Sequence, residues 1–330
     1  MADPASNHAD PIVRVDIPPA PWTGRDDGPG AEHLRWHRAI QPYRPEGAET
    51  GSALIGFASD EGVRRNRGRL GAAGGPAALR TALSSMALAQ PLSLFDAGDI
   101  AVTDGDLEGG QQRLAAAVSA VLDRGDLPIV LGGGHEVAFG TYSGVAASAL
   151  RRDRPRLGIL NLDAHFDLRA DPIPSSGTPF RQILEAEHAA GADCVYRVLG
   201  ISQPANTAAL FDTARRYDVR YLLDDHCGTT DSDTVDVFVD ALLDRVDILY
   251  LTIDLDVLPA AVAPGVSAPA AYGVPLEIIQ RVCDKVTASG KLAAVDIAEL
   301  NPEYDIDNRT ARTAARLIHR LVTRHSAPPV

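Results

Sequence analysis

The stretch Asn161-Leu162-Asp163-Ala164-His165-Phe166-Asp167 decides how the rest of this chain is read. It closes the apolar run from Leu157 to Leu162, which has the length and composition of a buried strand. Asp163, His165 and Asp167 follow at i, i+2 and i+4. In a chain that stays extended past Leu162, alternate residues share a face, so all three side chains leave on one side. Two carboxylates and an imidazole that converge make an oxygen and nitrogen donor set suited to a divalent transition metal. A polar loop after a strand, with His165 satisfied by a neighbouring carboxylate, fits the same residues. The surrounding sequence has to choose between them.

Three more apolar runs end in ionisable residues. Leu127 to Leu131 runs into Gly132-Gly133-Gly134-His135-Glu136, Ile248 to Ile253 ends on Asp254-Leu255-Asp256, and Lys291 to Ile297 leads to Glu299. Asp254 and Asp256 are again spaced i, i+2, so both point the same way. Two carboxylates buried side by side repel, and burial is costly or raises a pKa. A bound cation removes that cost. His135, His165, Asp163, Asp167, Asp254 and Asp256 together offer enough donors for two metal ions bridged by carboxylates. The absence of thiolates leaves Mn, Fe, Co, Ni or Zn, and oxygen-rich ligation favours Mn. Two such ions lower the pKa of a bridging water and yield a hydroxide near neutral pH. Glu299, closing its own strand, suits a cationic amidine or guanidine group and would orient its carbon for attack.

The runs between these points set the fold class. Strands are expected at Ala53–Phe57, Leu92–Asp96, Leu127–Leu131, Leu157–Leu162, Val195–Ile201, Val219–Leu223, Asp247–Ile253 and Lys291–Ile297. Helices are expected from Gly75-Pro76 to Met86, then at Gln111–Leu122, Val137–Arg151, Asn206–Tyr217, Thr234–Leu243, Pro275–Val286 and Asn308–Val322. Strands that are apolar throughout, alternating with helices, predict a mostly parallel sheet covered on both faces, a three-layer α/β/α fold. In such sheets the ligand site lies at the carboxyl ends of the strands. The four polar endings above fall there.

Composition narrows the function class. The 330 residues carry a net charge of −13, which argues against nucleic acid and anionic membrane surfaces as partners. The three cysteines, Cys194, Cys227 and Cys283, are widely separated and form no CxxC pair, so a reducing cytoplasm is expected. The N-terminus lacks a basic-then-apolar signal pattern, and no run approaches the roughly 20 apolar residues of a membrane span. Residues 1–50 are rich in Pro, Gly and charge. They read as an irregular extension whose first ten or so residues are disordered, with Trp22, Trp36 and Tyr43 forming an apolar cap on the body, 51–330. After the first strand comes a loop with Arg64, Arg65, Arg67 and Arg69. Such a loop can clamp a substrate carboxylate bidentately, or it can be a solvated surface paired with acids.

Gly132-Gly133-Gly134-His135-Glu136, Asp163-Ala164-His165-Phe166-Asp167 and Thr252-Ile253-Asp254-Leu255-Asp256 resemble the three motifs of the ureohydrolase (arginase/agmatinase) superfamily. The resemblance runs from about Trp22 to the last helix and is strongest to the formimidoylglutamase branch. It implies an arginase-like fold and a binuclear manganese centre, two Mn2+ per subunit. One ion would take His135, Asp163, Asp167 and Asp254, the other Asp163, His165, Asp254 and Asp256, and Glu299 would bind the amidine. Where most members follow the last Asp pair with Asp-Pro, this chain has Leu258-Pro259. Phe180 stands where arginases carry a proton-shuttling histidine. Both departures, with Trp22-Thr23-Gly24-Arg25, the Arg64–Arg69 loop and Ala263-Pro264-Gly265-Val266-Ser267-Ala268-Pro269, fit the formimidoylglutamase branch. The implied reaction is hydrolysis of N-formimidoyl-L-glutamate to L-glutamate and formamide, a step of histidine breakdown. A guanidino-acid hydrolase releasing urea is the alternative. Either substrate is a small amidine bearing carboxylates, for which Arg64, Arg65, Arg67 and Arg69 are the candidate anchors, with Ser175 and Ser176 as substitutes. A homo-oligomer is expected.

Overall fold

The computed structural model describes residues 13–326, so the disorder expected of the first ten residues lies outside the described residues. In chain order the strands are β1 Gln41–Pro42, β2 Ser52–Ala58, β3 Leu94–Ala101, β4 Leu127–Leu131, β5 Leu157–Leu162, β6 Cys194–Ile201, β7 Arg220–Leu223, β8 Ile248–Asp254 and β9 Leu292–Ala298. They form one sheet in the order β1-β3-β2-β4-β9-β8-β5-β6-β7, and every neighbouring pair is parallel. The last two strands in sequence slot between β4 and β5. As a result the four strands with polar endings, β4, β9, β8 and β5, are contiguous at the centre of the sheet.

Side chains along a strand alternate between faces, and the two apolar layers follow that alternation. Leu160, Leu162, Leu249, Leu251 and Ile253 join one core with helices Gly75–Ser84, Ser232–Leu243, Leu276–Ala288 and Arg309–His325. Leu157, Ile159, Ile248 and Tyr250 join the other with helices Leu107–Asp123, Val137–Ala147, Pro179–Ala189 and Ala208–Arg216. This is a three-layer α/β/α architecture. The final helix shows how sequence sets a buried face: Ala311, Ala314, Ala315, Ile318, Leu321 and Val322 recur at three- and four-residue spacing and are all buried.

Between residues 51 and 326 the helices depart from the sequence reading in three places. The Val137–Arg151 helix is broken at Ser148, which is extended (ψ 156°) and caps a second short helix by accepting from the Arg151 amide. Helix Pro179–Ala189 is an element the sequence reading does not contain; it has Pro in its first turn and buries Phe180, Ile183 and Leu184. The Arg-rich loop contains a short helix, Glu61–Arg65.

Residues 13–50 contribute more than irregular chain. They supply edge strand β1 and the helical turn Trp36–Ala39. Trp36 is fully buried, stacks on Trp22 at 6.3 Å and donates from Nε1 to His319 Nδ1 at 3.0 Å. Trp22 Nε1 donates to Asp96 Oδ2 at 2.8 Å, and the Tyr43 hydroxyl donates to Asp126 Oδ2 at 3.0 Å.

Candidate active site

Parallel pairing in register sets the polar endings side by side. Leu162 lies opposite Ile253 and Asp254 opposite Ala298, so Asp163, Asp254 and Glu299 emerge as neighbours. Leu131 lies opposite Ile297, and the ladder continues through the Glu299 amide donating to Gly133 O at 2.8 Å. That brings His135 over the same edge.

The chain does not stay extended beyond Leu162, as the simplest reading of the i, i+2, i+4 spacing required. The residues after β5 bend, and Asp167 adopts a left-handed backbone (φ 49°). Convergence comes from side chains that hold the bend. Asn206 accepts from the Phe166 amide and donates to Ala164 O, while the Tyr196 hydroxyl donates to Phe166 O. The Asp163 carboxylate accepts from the His165 amide at 2.6 Å and from Asn161 Nδ2 at 2.9 Å.

His135 Nδ1 then sits 3.2 Å from Asp163 Oδ2, 3.0 Å from Asp167 Oδ2 and 3.1 Å from Asp254 Oδ2, fully buried. His165 Nδ1 lies 3.5 Å from Asp163 Oδ1 and 3.0 Å from Asp256 Oδ2. The donor atoms fall into two sets within 4.8 Å, His135-Asp163-Asp167-Asp254 and Asp163-His165-Asp256, sharing Asp163. Asp254 belongs only to the first set here, and its Oδ1 accepts the Asp256 amide at 2.8 Å.

The electrostatics suit a cation pair. Burial pushes Asp254 well above the ordinary carboxylate range, and the Asp256 and Asp163 charges add to it. Burial alone would lower both imidazoles, but the surrounding acids hold His135 and His165 well above the usual histidine value. These groups remain compatible with one another only by keeping protons. Divalent ions, which bind carboxylates and neutral imidazoles, remove that need. His135 is also oriented for it: Nε2 lies 2.9 Å from Thr252 Oγ1, leaving Nδ1 aimed at the acids. Asp296 is the register partner of Thr252 and faces its hydroxyl, and it also accepts from the Tyr250 hydroxyl.

Beside these sets is a cavity of about 300 Å³ lined by His135, His165, Asp167, Asp254, Asp256 and Glu299. Glu299 has a left-handed backbone (φ 67°), a conformation non-glycine residues rarely hold unless the surroundings enforce it. Its Oε1 accepts from the His135 amide at 2.8 Å, while Oε2 has no protein partner among the described residues. Burial, then the charge of Glu136, pushes Glu299 up to about 8. Glu136, itself raised to about 7 by burial, accepts from Ser59 and the Gly62 amide.

The arginine loop divides. Arg64 is committed to Glu61 through two hydrogen bonds of 2.6 Å, and Arg65 to Glu61 and Glu108. Neither lines the cavity. Arg69 lines it, but its guanidinium donates to the carbonyls of Ser267 and Val266 and lies 4.1 Å over the Tyr304 ring. Arg67 lines the cavity and an outer vestibule and has no carboxylate partner among the described residues. Ser176 lines the cavity and accepts from Asn66 Nδ2. Ser175 is taken up by the turn before helix Pro179–Ala189, accepting from the Gly177 amide. Phe180 does not line the cavity: it is fully buried, edge-on to His135 at 5.2 Å and stacked on Tyr196 at 4.6 Å. Sequence reasoning missed Arg169, which lines both cavity and vestibule without an acidic partner among the described residues. It continues the alternation Asp163, His165, Asp167, and that was the available signal.

The sequence pattern of the Arginase family matches residues 50–323. The chain is 69% identical over 309 residues to the formimidoylglutamase of Rhodococcus opacus, covering 93% of this chain and 96% of that one. It is 66% identical over 313 residues to the formimidoylglutamase of Nocardia farcinica, covering 94% and 99%. The crystal structure of Trypanosoma cruzi formiminoglutamase with Mn2+2 is similar at a TM-score of 0.73 and 28% identity, covering 86% of this chain and 97% of that one.

Proposed function

The chain belongs to the arginase family, and we infer that it hydrolyses N-formimidoyl-L-glutamate to L-glutamate and formamide with two Mn2+ ions. The observation that carries this reading is the paired donor sets meeting at Asp163, with Glu299, whose Oε2 has no protein partner among the described residues, lining the same small cavity. We propose that His135, Asp163, Asp167 and Asp254 hold one ion and Asp163, His165 and Asp256 the other. What the ions supply when bound is Lewis acidity and a water-derived nucleophile at neutral pH.

The remaining work falls to side chains of this chain. Glu299 binds the amidinium end of the substrate. A carboxyl that burial pushes up to about 8 gains charge when a cation docks beside it, so recognition and ionisation reinforce each other. The His135 amide fixes its second oxygen. Arg67 and Arg169, at the neck between cavity and vestibule, take the two carboxylates of the substrate. A cationic amine such as agmatine would be repelled there. Arg69 instead ties the arginine loop to the 266–267 segment and holds the cavity wall.

The deciding experiment is product analysis with the manganese-loaded enzyme. Formamide from N-formimidoyl-L-glutamate supports the reading. Urea from a guanidino acid, with no formamide from the formimidoyl substrate, overturns it. The three unpaired cysteines fit work in the reducing cytoplasm. Light scattering of the purified protein tests the expected homo-oligomer.

A further inference from the structure

Another cavity, of about 690 Å³, shares no lining residue with the catalytic one. Its walls include Arg197 on β6, Arg220 at the start of β7, Arg215, Asp218, Tyr221 and Phe238. It lies where β7 begins, whereas the catalytic residues follow strand ends.

Arg197 is the anomaly. It is only 8% exposed, and arginine is almost never buried without an anionic partner. Its Nε has no hydrogen-bond acceptor, and no carboxylate pairs with it among the described residues. In register across the ladder it faces another arginine, Arg220. Like charges opposite each other on neighbouring strands destabilise the pair. The nearby acids are already engaged: Asp218 with Arg220 at 2.9 Å, and Asp212 with Arg215. Burial, followed by the charges of Arg245 and Arg220, pulls Arg197 below the usual arginine range. The charge of Asp218, already paired with Arg220, acts favourably from a distance, and the ring of Phe238 lies 5.5 Å from the guanidinium carbon. In a chain of net charge −13, a concave cationic pocket around a buried guanidinium is out of keeping with the rest of the surface.

We propose that this cavity binds a small dianionic oxyanion, with Arg197 at its base and Arg220 at its rim. Planar guanidinium groups pair bidentately with carboxylate, sulfate or phosphate oxygens, and that contact supplies the anionic partner Arg197 lacks. The volume falls within the roughly 300–1,000 Å³ of small-ligand pockets, and Tyr221 and Phe238 offer an apolar wall for an organic body. The site is independent of the hydrolase reaction.

The test uses the manganese-loaded enzyme at constant ionic strength, with chloride as the control anion. Sulfate stands for a tetrahedral dianion and succinate for a dicarboxylate, and each is titrated while thermal unfolding is followed. At least one of the two is expected to raise the unfolding temperature saturably, and which one does so identifies the class. Arg197→Met is expected to raise the half-saturating concentration at least about tenfold, the loss of one charge-assisted contact. It is also expected to unfold no more easily than wild type without anion, because an unpaired buried charge has been removed. Arg220→Gln changes an exposed rim residue and tests the site without disturbing the core; it is expected to weaken the shift. Hydrolysis of the formimidoyl substrate stays at wild-type rate in both. The proposal fails if neither anion acts beyond chloride, or if Arg197→Met and Arg220→Gln both respond like wild type. It fails equally if Arg197→Met alters the oligomeric state, since a second copy then supplies the acid.

Discussion

Thr252→Val tests whether the metal centre depends on how His135 is held. The substitution nearly preserves volume and deletes one hydroxyl from β8. That hydroxyl lies 2.9 Å from His135 Nε2, and His135 Nδ1 lies 3.0–3.2 Å from three carboxylate oxygens. With Nε2 donating to Thr252, the Nδ1 lone pair faces the acids; without an acceptor, the buried Nε2–H goes unpaired and the ring can adopt the other tautomer. Leaving a buried donor unsatisfied costs about 1–3 kcal/mol. Loss of such an outer partner typically lowers metal affinity by roughly 10- to 100-fold, about 1.4–2.8 kcal/mol, so the two estimates agree. The assay is competition for Mn2+ against a chelator of known affinity, with metal content measured after desalting. Thr252→Ser keeps the hydroxyl and is expected to bind within about twofold of wild type. A valine variant with wild-type affinity, or a serine variant as weak as the valine, refutes the orienting role.

Asp163 is shared by both donor sets, so Asp163→Ala is expected to strip both ions and abolish activity, while Asp167→Ala loses mainly one; elemental analysis showing full metal content in Asp163→Ala contradicts the assignment. Arg169→Met is expected to raise KM for N-formimidoyl-L-glutamate about tenfold or more with kcat less affected, the loss of a charge-assisted contact worth about 1.5–3 kcal/mol, whereas Arg64→Met, already paired with Glu61, leaves KM unchanged. Phe180→His does not restore a shuttle, because the residue is buried against His135; it is expected to lower stability by about 1–3 kcal/mol, and unchanged thermal unfolding together with faster turnover would show otherwise. Without metal, Glu299 and Glu136 titrate near 8 and 7 in the folded protein against an ordinary 4.5, so the fold holds protons that the unfolded chain has released. Metal-free protein is therefore expected to lose stability as pH rises from about 4.5 to 8. Asp254 and both imidazoles act in the same direction, and Asp163 opposes them. Urea unfolding with a chelator present, giving midpoints that stay flat or rise across that window, would contradict this.

The chemistry of the centre was legible in the chain because donors at the end of an apolar run must lie at one edge of a sheet. Local spacing and the polar ends of apolar runs were enough to nominate His135, Asp163, His165, Asp167, Asp254, Asp256 and Glu299 as candidates, and the alternation of apolar runs was enough to predict a parallel sheet between helical layers. Even so, the route to convergence differed: Asp167 reaches His135 through a bend held by Asn206 and Tyr196, which are remote in sequence. The arginines show the limit most clearly. Arg64, Arg65, Arg67 and Arg69 are equivalent as sequence, since a guanidinium has the same charge and donors wherever it stands. Which of them remains free depends on Glu61, Glu108 and the Ser267 carbonyl, brought near by folding. Phe180 likewise occupied a suggestive position that packing turned inward against Tyr196. Strand order was beyond the sequence too, because each run is apolar enough to pair with any other. Only the packed sheet, with β8 and β9 inserted between β4 and β5, sets the four polar endings next to one another. Residue type and periodicity therefore determined what this protein can do chemically, and long-range contacts, which cost chain entropy and are repaid only by the whole core, decided which side chains were left to do it.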